Sequence, residues 1–356
     1  AITGNADFDG AVGGLSALTS LSVSGTSNLG ANITTTGNQT YTGAATLSAN
    51  NTLTGGTVNF GSTLNGAQTL PITGNADFDG IVGGSSALTS LSISGTSNLG
   101  ANVTTSGNQT YTGAATLSAD NTLTGGTVNF GSMLDGGQTL AITGNADFDG
   151  AVGGSAALTS LSVSGTSNLG ANVSTTGNQT YSGASTLSAN NTLTGGTVNF
   201  GSTLDGVQTL AITGNADFDG IVGGSAALTS LSVSGTSNLG ANVTTTGNQT
   251  YSGASTLSAN NTLTGGTINF GSTLNGAQTL AITGNADFDG IVGGSAALTS
   301  LNVSGTSNLG ANVTTSGNQT YTGASTLSAN NTLTGGTVNF GSTLNGTQTL
   351  AITGNG

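Results

Sequence analysis

The sequence predicts an all-β fold, a parallel β-helix (β-solenoid), on three observations. A 70-residue unit repeats along the chain with no insertion or deletion. Three related segments recur inside each unit at spacings close to one solenoid turn. The apolar residues are few and regular, and Gly, Asn, Ser and Thr separate them.

The repeat is read first. The string that begins at Ala1 and runs to Gly10 returns at 71, 141, 211 and 281, with Pro71 as its one altered first residue. The copies are 1–70, 71–140, 141–210, 211–280 and 281–350, and residues 351–356 start a sixth. No linker or composition shift interrupts them, so one continuous β-solenoid over 1–356 is expected.

Within a copy, Leu21–Leu29, Ala45–Leu53 and Leu70–Phe78 share a pattern of apolar, any residue, apolar, polar, with Phe or Leu closing. Their anchors Ile2, Val23, Leu47 and Ile72 are 21, 24 and 25 residues apart. This predicts three coils per repeat and about 15 coils of 21–25 residues. At roughly 4.8 Å per coil the array would be a rod on the order of 70 Å. Parallel crossovers favour a right-handed path. The expected inward residues are Ile2, Phe8, Val12, Leu18, Leu21, Val23, Leu29, Ile33, Leu47, Leu53, Val58, Leu64 and Leu70, with their equivalents. Pro71 lacks a ladder donor, so the ladder should break there or the strand should start at Ile72.

Competing folds fit less well. Gly is too frequent, at 63 residues, for helical repeats. A propeller needs four antiparallel strands per blade, and collagen needs Gly at every third position.

Composition excludes whole classes of function. The chain has no Lys, Arg, His or Cys, and its 13 acidic residues give a net charge of −13. Nucleic-acid binding and attraction to anionic lipid both need cations. Zinc sites on Cys or His, disulfides and histidine acid–base work are equally excluded. No 18-residue apolar run exists, so direct membrane insertion is not expected. The start at Ala1 reads as a processed chain or a segment of a longer one.

The stretches 37–45 (TGNQTYTGA), 52–70 (TLTGGTVNFGSTLNGAQTL) and 17–25 (ALTSLSVSG) resemble the β-solenoid repeats of large bacterial exoproteins. These are filamentous-haemagglutinin-like adhesins and autotransporter passenger repeats. The resemblance covers the chain and implies a right-handed β-helix, export across an outer membrane, and a role in adhesion, biofilm or surface structure. The chain departs from a complete member in lacking a secretion domain, a visible cap and an Arg-Gly-Asp motif.

Candidate sites follow from the repeated acids. Asp7 and Asp9 flank Phe8, and the pair returns as Asp77 and Asp79, Asp147 and Asp149, Asp217 and Asp219, and Asp287 and Asp289. On a strand both carboxylates share one face while Phe turns inward. Such pairs are weak Ca²⁺ candidates, since two carboxylates supply at most four of the six to eight oxygens required. The plainer reading is exposed, metal-free charge that keeps a nearly neutral array soluble. Five equivalent pairs lack the asymmetry of glycosidase carboxylates, so no enzyme activity and no cofactor are expected. Tyr41 and its equivalents read as core, with an outward sugar-stacking row as the alternative. Asn5, Asn28, Asn32, Asn38, Asn50 and Asn51 read as stacked turns forming amide ladders. The 16 Asn-x-Ser/Thr triplets barely exceed what composition yields, so glycosylation is not argued.

The expected function is a non-enzymatic, extracellular, secreted or surface-anchored structural fibre, the shaft of an adhesin. A self-assembling filament or sheath subunit is the first alternative, and a Ca²⁺- or carbohydrate-binding module the second. Expected partners are the chain itself, end to end or through covalent continuation, and surface glycans or other cells. Both ends show bare strands, so no free monomer of these 356 residues is expected in nature.

Overall fold

The computed structural model describes residues 1–355, and among them the strands pair in parallel and no helix forms. The chain is an all-β parallel β-solenoid. It groups into two compact units, Ala1–Gly177 and the stretch from Asn178 onward.

Each unit is built from hydrogen-bonded parallel ladders of inward side chains, several to a turn. In the first unit one ladder runs Ile2, Val23, Tyr41, Phe60, Phe78, Leu99, Leu117. A second runs Ala45, Leu64, Val82, Val103, Leu123, Ile142, Val163. A third runs Val12, Ile33, Leu53, Ile72, Ile93, Tyr111, Phe130, Phe148, Leu169. The strands alternate inward and outward, as Leu21–Val23 does with Ser22 exposed between two buried residues. Burying each such apolar side chain contributes about 1.5–3 kcal/mol. Much of that offsets the roughly 1–2 kcal/mol per residue needed to order the backbone.

The turns are shorter than the anchor spacings suggest. Ala76, Ser97, Ala115, Leu134 and Val152 succeed one another at register steps of 21, 18, 19 and 18 residues. The chain therefore makes about 18 turns rather than 15. Leu47 does not continue the ladder of Val23; it pairs with Leu29, on the next face. The apolar–x–apolar pattern serves all three faces, so aligning segments by pattern alone mistakes a face for a turn.

These steps leave the repeat out of phase with the coil. Four steps take the ladder from Ala76 to Val152, six residues more than the 70-residue unit and about a third of a turn. Tyr41 and Tyr111, identical in the repeat, thus occupy different ladders of the first unit. In the second unit Tyr181, Tyr251 and Tyr321 lie on three different ladders. These run Tyr181, Phe200, Phe218, Leu239; then Val233, Tyr251, Phe270, Phe288; then Ile282, Val303, Tyr321, Phe340.

The expected core is buried in the interior copies, with corrections at the edges. Ile2 is 36% and Leu18 40% exposed, whereas their equivalents Ile72 and Leu88 are 2% and 0%. Phe8 and Val12 are only half-buried. All four lie on the first turn, which has a neighbour on one side only.

Pro71 does not break its strand. Thr69–Phe78 runs through it, and Pro71 pairs with Ser92 on the following turn. The loss falls on the preceding turn. There the partner strand is Leu53–Phe60, whereas later copies start two residues earlier and pair Asn121 with Leu140 and Thr122 with Ala141. A missing N–H affects one side of a parallel strand, and Pro71 itself is exposed.

A bulge recurs where Gly125 and Gly126 oppose Gly144, between the Thr124–Thr143 and Thr127–Asn145 pairs. Gly144 has φ +133°, and a Cβ there would collide with the Gly125 carbonyl oxygen.

Candidate functional site

The alternation that turns Phe78 inward turns Asp77 outward. Register then places Ser22, Thr40, Asn59, Asp77, Asn98, Thr116 and Asp135 in one outward row, one residue per turn. The chemistry of the row centres on the acid. Asn59 Nδ2 donates to Asp77 Oδ2 at 2.9 Å and to Asp79 Oδ2 at 3.2 Å. From the other side Asn98 Nδ2 donates to Asp77 Oδ1 at 2.8 Å. Asp77 is thereby clamped between two turns, each bond assisted by its charge.

The arrangement recurs. Asn129 donates to Asp147 and Asp149, Asn199 to Asp217 and Asp219, and Asn269 to Asp287 and Asp289. Asn168, Asn238 and Asn308 complete the other side of Asp147, Asp217 and Asp287. On the first turn Asp7 accepts from Asn28 alone, at 2.7 Å. The first acid of each later pair is half-buried rather than fully exposed, because the neighbouring asparagines cover it; Asp79, Asp149, Asp219 and Asp289 remain exposed. Among the described residues no three acidic side chains cluster in a way that could hold a metal ion.

Two shallow grooves lie beside such Asp–Asn pairs, one in the first copy of the repeat and one in the fifth. One of about 500 Å³ is bordered by Asn5, Asp7, Asn28 and Thr46. One of about 380 Å³ is bordered by Asn285, Asp287, Asn308 and Thr326. Inward Ala6 and Ser27, or Ala286 and Ser307, border them too, and such small residues leave the surface dipped.

The remaining asparagines work differently from stacked amides. None has a positive φ, and among the described residues only glycines do. Asn5, Asn38 and Asn50 each accept, through Oδ1, the backbone N–H of Thr26, Thr57 and Thr69 one turn on, at 2.9, 3.1 and 2.9 Å. They extend the ladder across corners where strand pairing lapses. Asn51 is not a surface turn at all: it is buried and donates its amide to the Leu29 carbonyl.

Tyr41 and its equivalents are core, and among the described residues no exposed aromatic row forms. Tyr41 stacks on Phe60 with centroids 5.1 Å apart, and Phe60 on Phe78 at 5.9 Å. The Tyr41 hydroxyl donates to Gln39 Oε1 at 3.0 Å, and Gln39 Nε2 donates to the Thr54 and Ile33 carbonyls. Burial pushes the tyrosine hydroxyls far above their usual range. Gln39 and Asn59 escaped sequence reasoning. The signal for Asn59 was present: it alternates between Val58 and Phe60, and Asp77 follows 18 residues later, one turn on.

No family model, curated protein or solved structure matches this chain.

Proposed function

We propose that the chain is a non-enzymatic structural element of an extracellular fibre, the shaft of a secreted or surface-anchored adhesin like the exoproteins its repeats resemble. One observation carries the reading: within each unit, successive turns are joined by an inward apolar ladder and also by an outward Asn–Asp row. A structure made this way can be lengthened by whole repeats without redesign. It presents a neutral-to-acidic surface, with no cation to attract nucleic acid.

Single-molecule stretching of the 356-residue chain tests this. Unravelling should proceed in a series of events, each releasing one turn of about 18–21 residues, roughly 60–75 Å of contour. Collapse in one low-force step would overturn the reading. Antibody labelling of intact source cells tests the location, and signal only after lysis would refute it.

A further inference from the structure

Where one copy of the repeat gives way to the next, a large apolar side chain stands on the surface, and one such junction differs in kind. Leu64 pairs with Val82, Leu134 with Val152, Leu204 with Val222 and Leu274 with Val292, so the residue before each Leu sits beside the residue before each Val. Three junctions hold Thr and Ile there: Thr63 with Ile81, Thr203 with Ile221 and Thr273 with Ile291. The fourth holds Met133 and Ala151. The exchange keeps one large side chain at the spot. Ile81, Ile221 and Ile291 are 45%, 44% and 45% exposed, and Met133 is 38% exposed.

This side chain covers a glycine turn. Ile81 Cγ2 lies 2.8 Å from where a Cβ of Gly84 would stand, and Ile221 and Ile291 lie likewise over Gly224 and Gly294. Over Gly154 the neighbours are Ala151 Cβ at 3.5 Å and Met133 Sδ at 3.9 Å. The sulfur thus helps cover the turn that isoleucine covers elsewhere. Ser155 Oγ donates to Met133 Sδ at 3.7 Å, using the weak acceptor character of a thioether. The serine is itself fixed, because its N–H and that of Ala156 donate to Asp135 Oδ1 at 3.0 and 3.2 Å. Ser155 and Gly154 therefore hold one side of the sulfur and leave attack to the other.

No other side chain of the chain competes for a mild two-electron oxidant. Met133 is its one methionine, and Cys, Trp and His are absent. The five tyrosines are fully buried.

We propose that Met133 is a modification site at which a hydroperoxide oxidises the folded chain, and that Ser155 sets the chirality of the product. Sδ attacks the distal peroxide oxygen; the S–O bond forms as the O–O bond breaks. The sulfur loses two electrons and the peroxide gains them. The proton on the transferred oxygen passes to the departing hydroxide, which leaves as water. One sulfur lone pair already accepts the Ser155 O–H, so oxygen enters on the other. Methionine sulfoxide is polar, chiral and open to enzymatic reduction. One turn of the solenoid can therefore carry a surface mark that is written and erased while the ladders stay intact. The proposal holds whether or not the chain is a fibre shaft.

Dilute hydrogen peroxide on the native 356-residue chain tests it. The chain should gain one oxygen, about 16 Da, on the peptide that holds Met133, with circular dichroism unchanged. Met133→Thr, the residue of the three other junctions, should gain none. After digestion, the two classes of methionine sulfoxide reductase, each acting on one epimer, report the chirality. The folded chain should show an excess of one epimer of about threefold or more, and Ser155→Ala should bring the two close to equality. Uptake only after denaturant is added, uptake undiminished in Met133→Thr, an equal mixture from the folded parent, or an excess that survives Ser155→Ala each overturns the proposal.

Discussion

The Tyr111 hydroxyl donates to Gln109 Oε1 at 2.8 Å, two positions earlier on the same strand, with both side chains fully buried. Gln109 Nε2 in turn donates to the Thr124 carbonyl at 2.9 Å on the next turn. A polar pair inside an apolar core is tolerable because each member satisfies the other. Tyr111→Phe should therefore cost about 1–3 kcal/mol by orphaning Gln109 Oε1. Adding Gln109→Leu should cost less than the two single changes summed, as local hydrogen exchange around 109–130 would show. Strict additivity would mean that the two side chains act independently.

Alkali should unfold the chain abruptly. Burial raises the hydroxyls of Tyr41, Tyr111, Tyr181, Tyr251 and Tyr321 far above their ordinary value of 10.0. Below that value both folded and unfolded chains keep the proton, and stability is fully present. Above it the unfolded chain loses protons that the folded chain retains. Stability then falls by about 1.4 kcal/mol per pH unit for each tyrosine involved. Tyrosinate absorbance should stay flat past pH 10 and then jump together with loss of circular dichroism. A smooth titration centred near 10 would contradict the buried stacks.

Asn65 and Asp135 should be interchangeable. Asn65 Oδ1 accepts the N–H groups of Ser85 and Ser86 at 2.9 and 3.3 Å, and Asp135 Oδ1 accepts those of Ser155 and Ala156 at 3.0 and 3.2 Å. Only an acceptor is needed. Asn65→Asp should change stability by less than about 0.5 kcal/mol. Asn65→Ala should cost about 0.5–1.5 kcal/mol, measured by denaturant titration.

Calcium should leave the fold unaffected. Asp77 already accepts from Asn59 and Asn98, and two carboxylates fall short of a calcium shell. Calorimetric titration should show no saturable site, and chelator should not move the melting temperature. Five stoichiometric sites would reverse this reading.

Pro71→Ala should extend the ladder of the preceding turn to Asn51 and Thr52, as Ala141 does for Asn121 and Thr122. The new amide should exchange as slowly as that of Ala141. The net stability change should stay within about 1 kcal/mol, because the gained hydrogen bond is offset by a looser unfolded chain.

Much of the fold was legible in the sequence, and the reason is periodicity. Leu21, Val23, Val58 and Phe60 alternate with polar residues, and the 70-residue unit repeats them without slippage. The turn length was not legible, because Leu29 and Leu47 sit in the same pattern as Val23 while belonging to another face. The acids were legible as outward residues beside Phe78; their clamping was not, because Asn59 and Asn98 lie 18 residues before and 21 after Asp77. Gln39 was missed and Asn51 misread for another reason: both are polar residues that point inward, and their burial depends on carbonyls contributed by neighbouring turns.

The mismatch between repeat and turn gives copy number a directional meaning. Each added copy displaces whatever follows it by about a third of a revolution, just as Tyr111 sits on a different ladder from Tyr41. Gain or loss of one 70-residue copy by recombination would therefore do more than alter reach. It would re-aim every downstream feature toward another side, and three such events would bring it back to its original bearing.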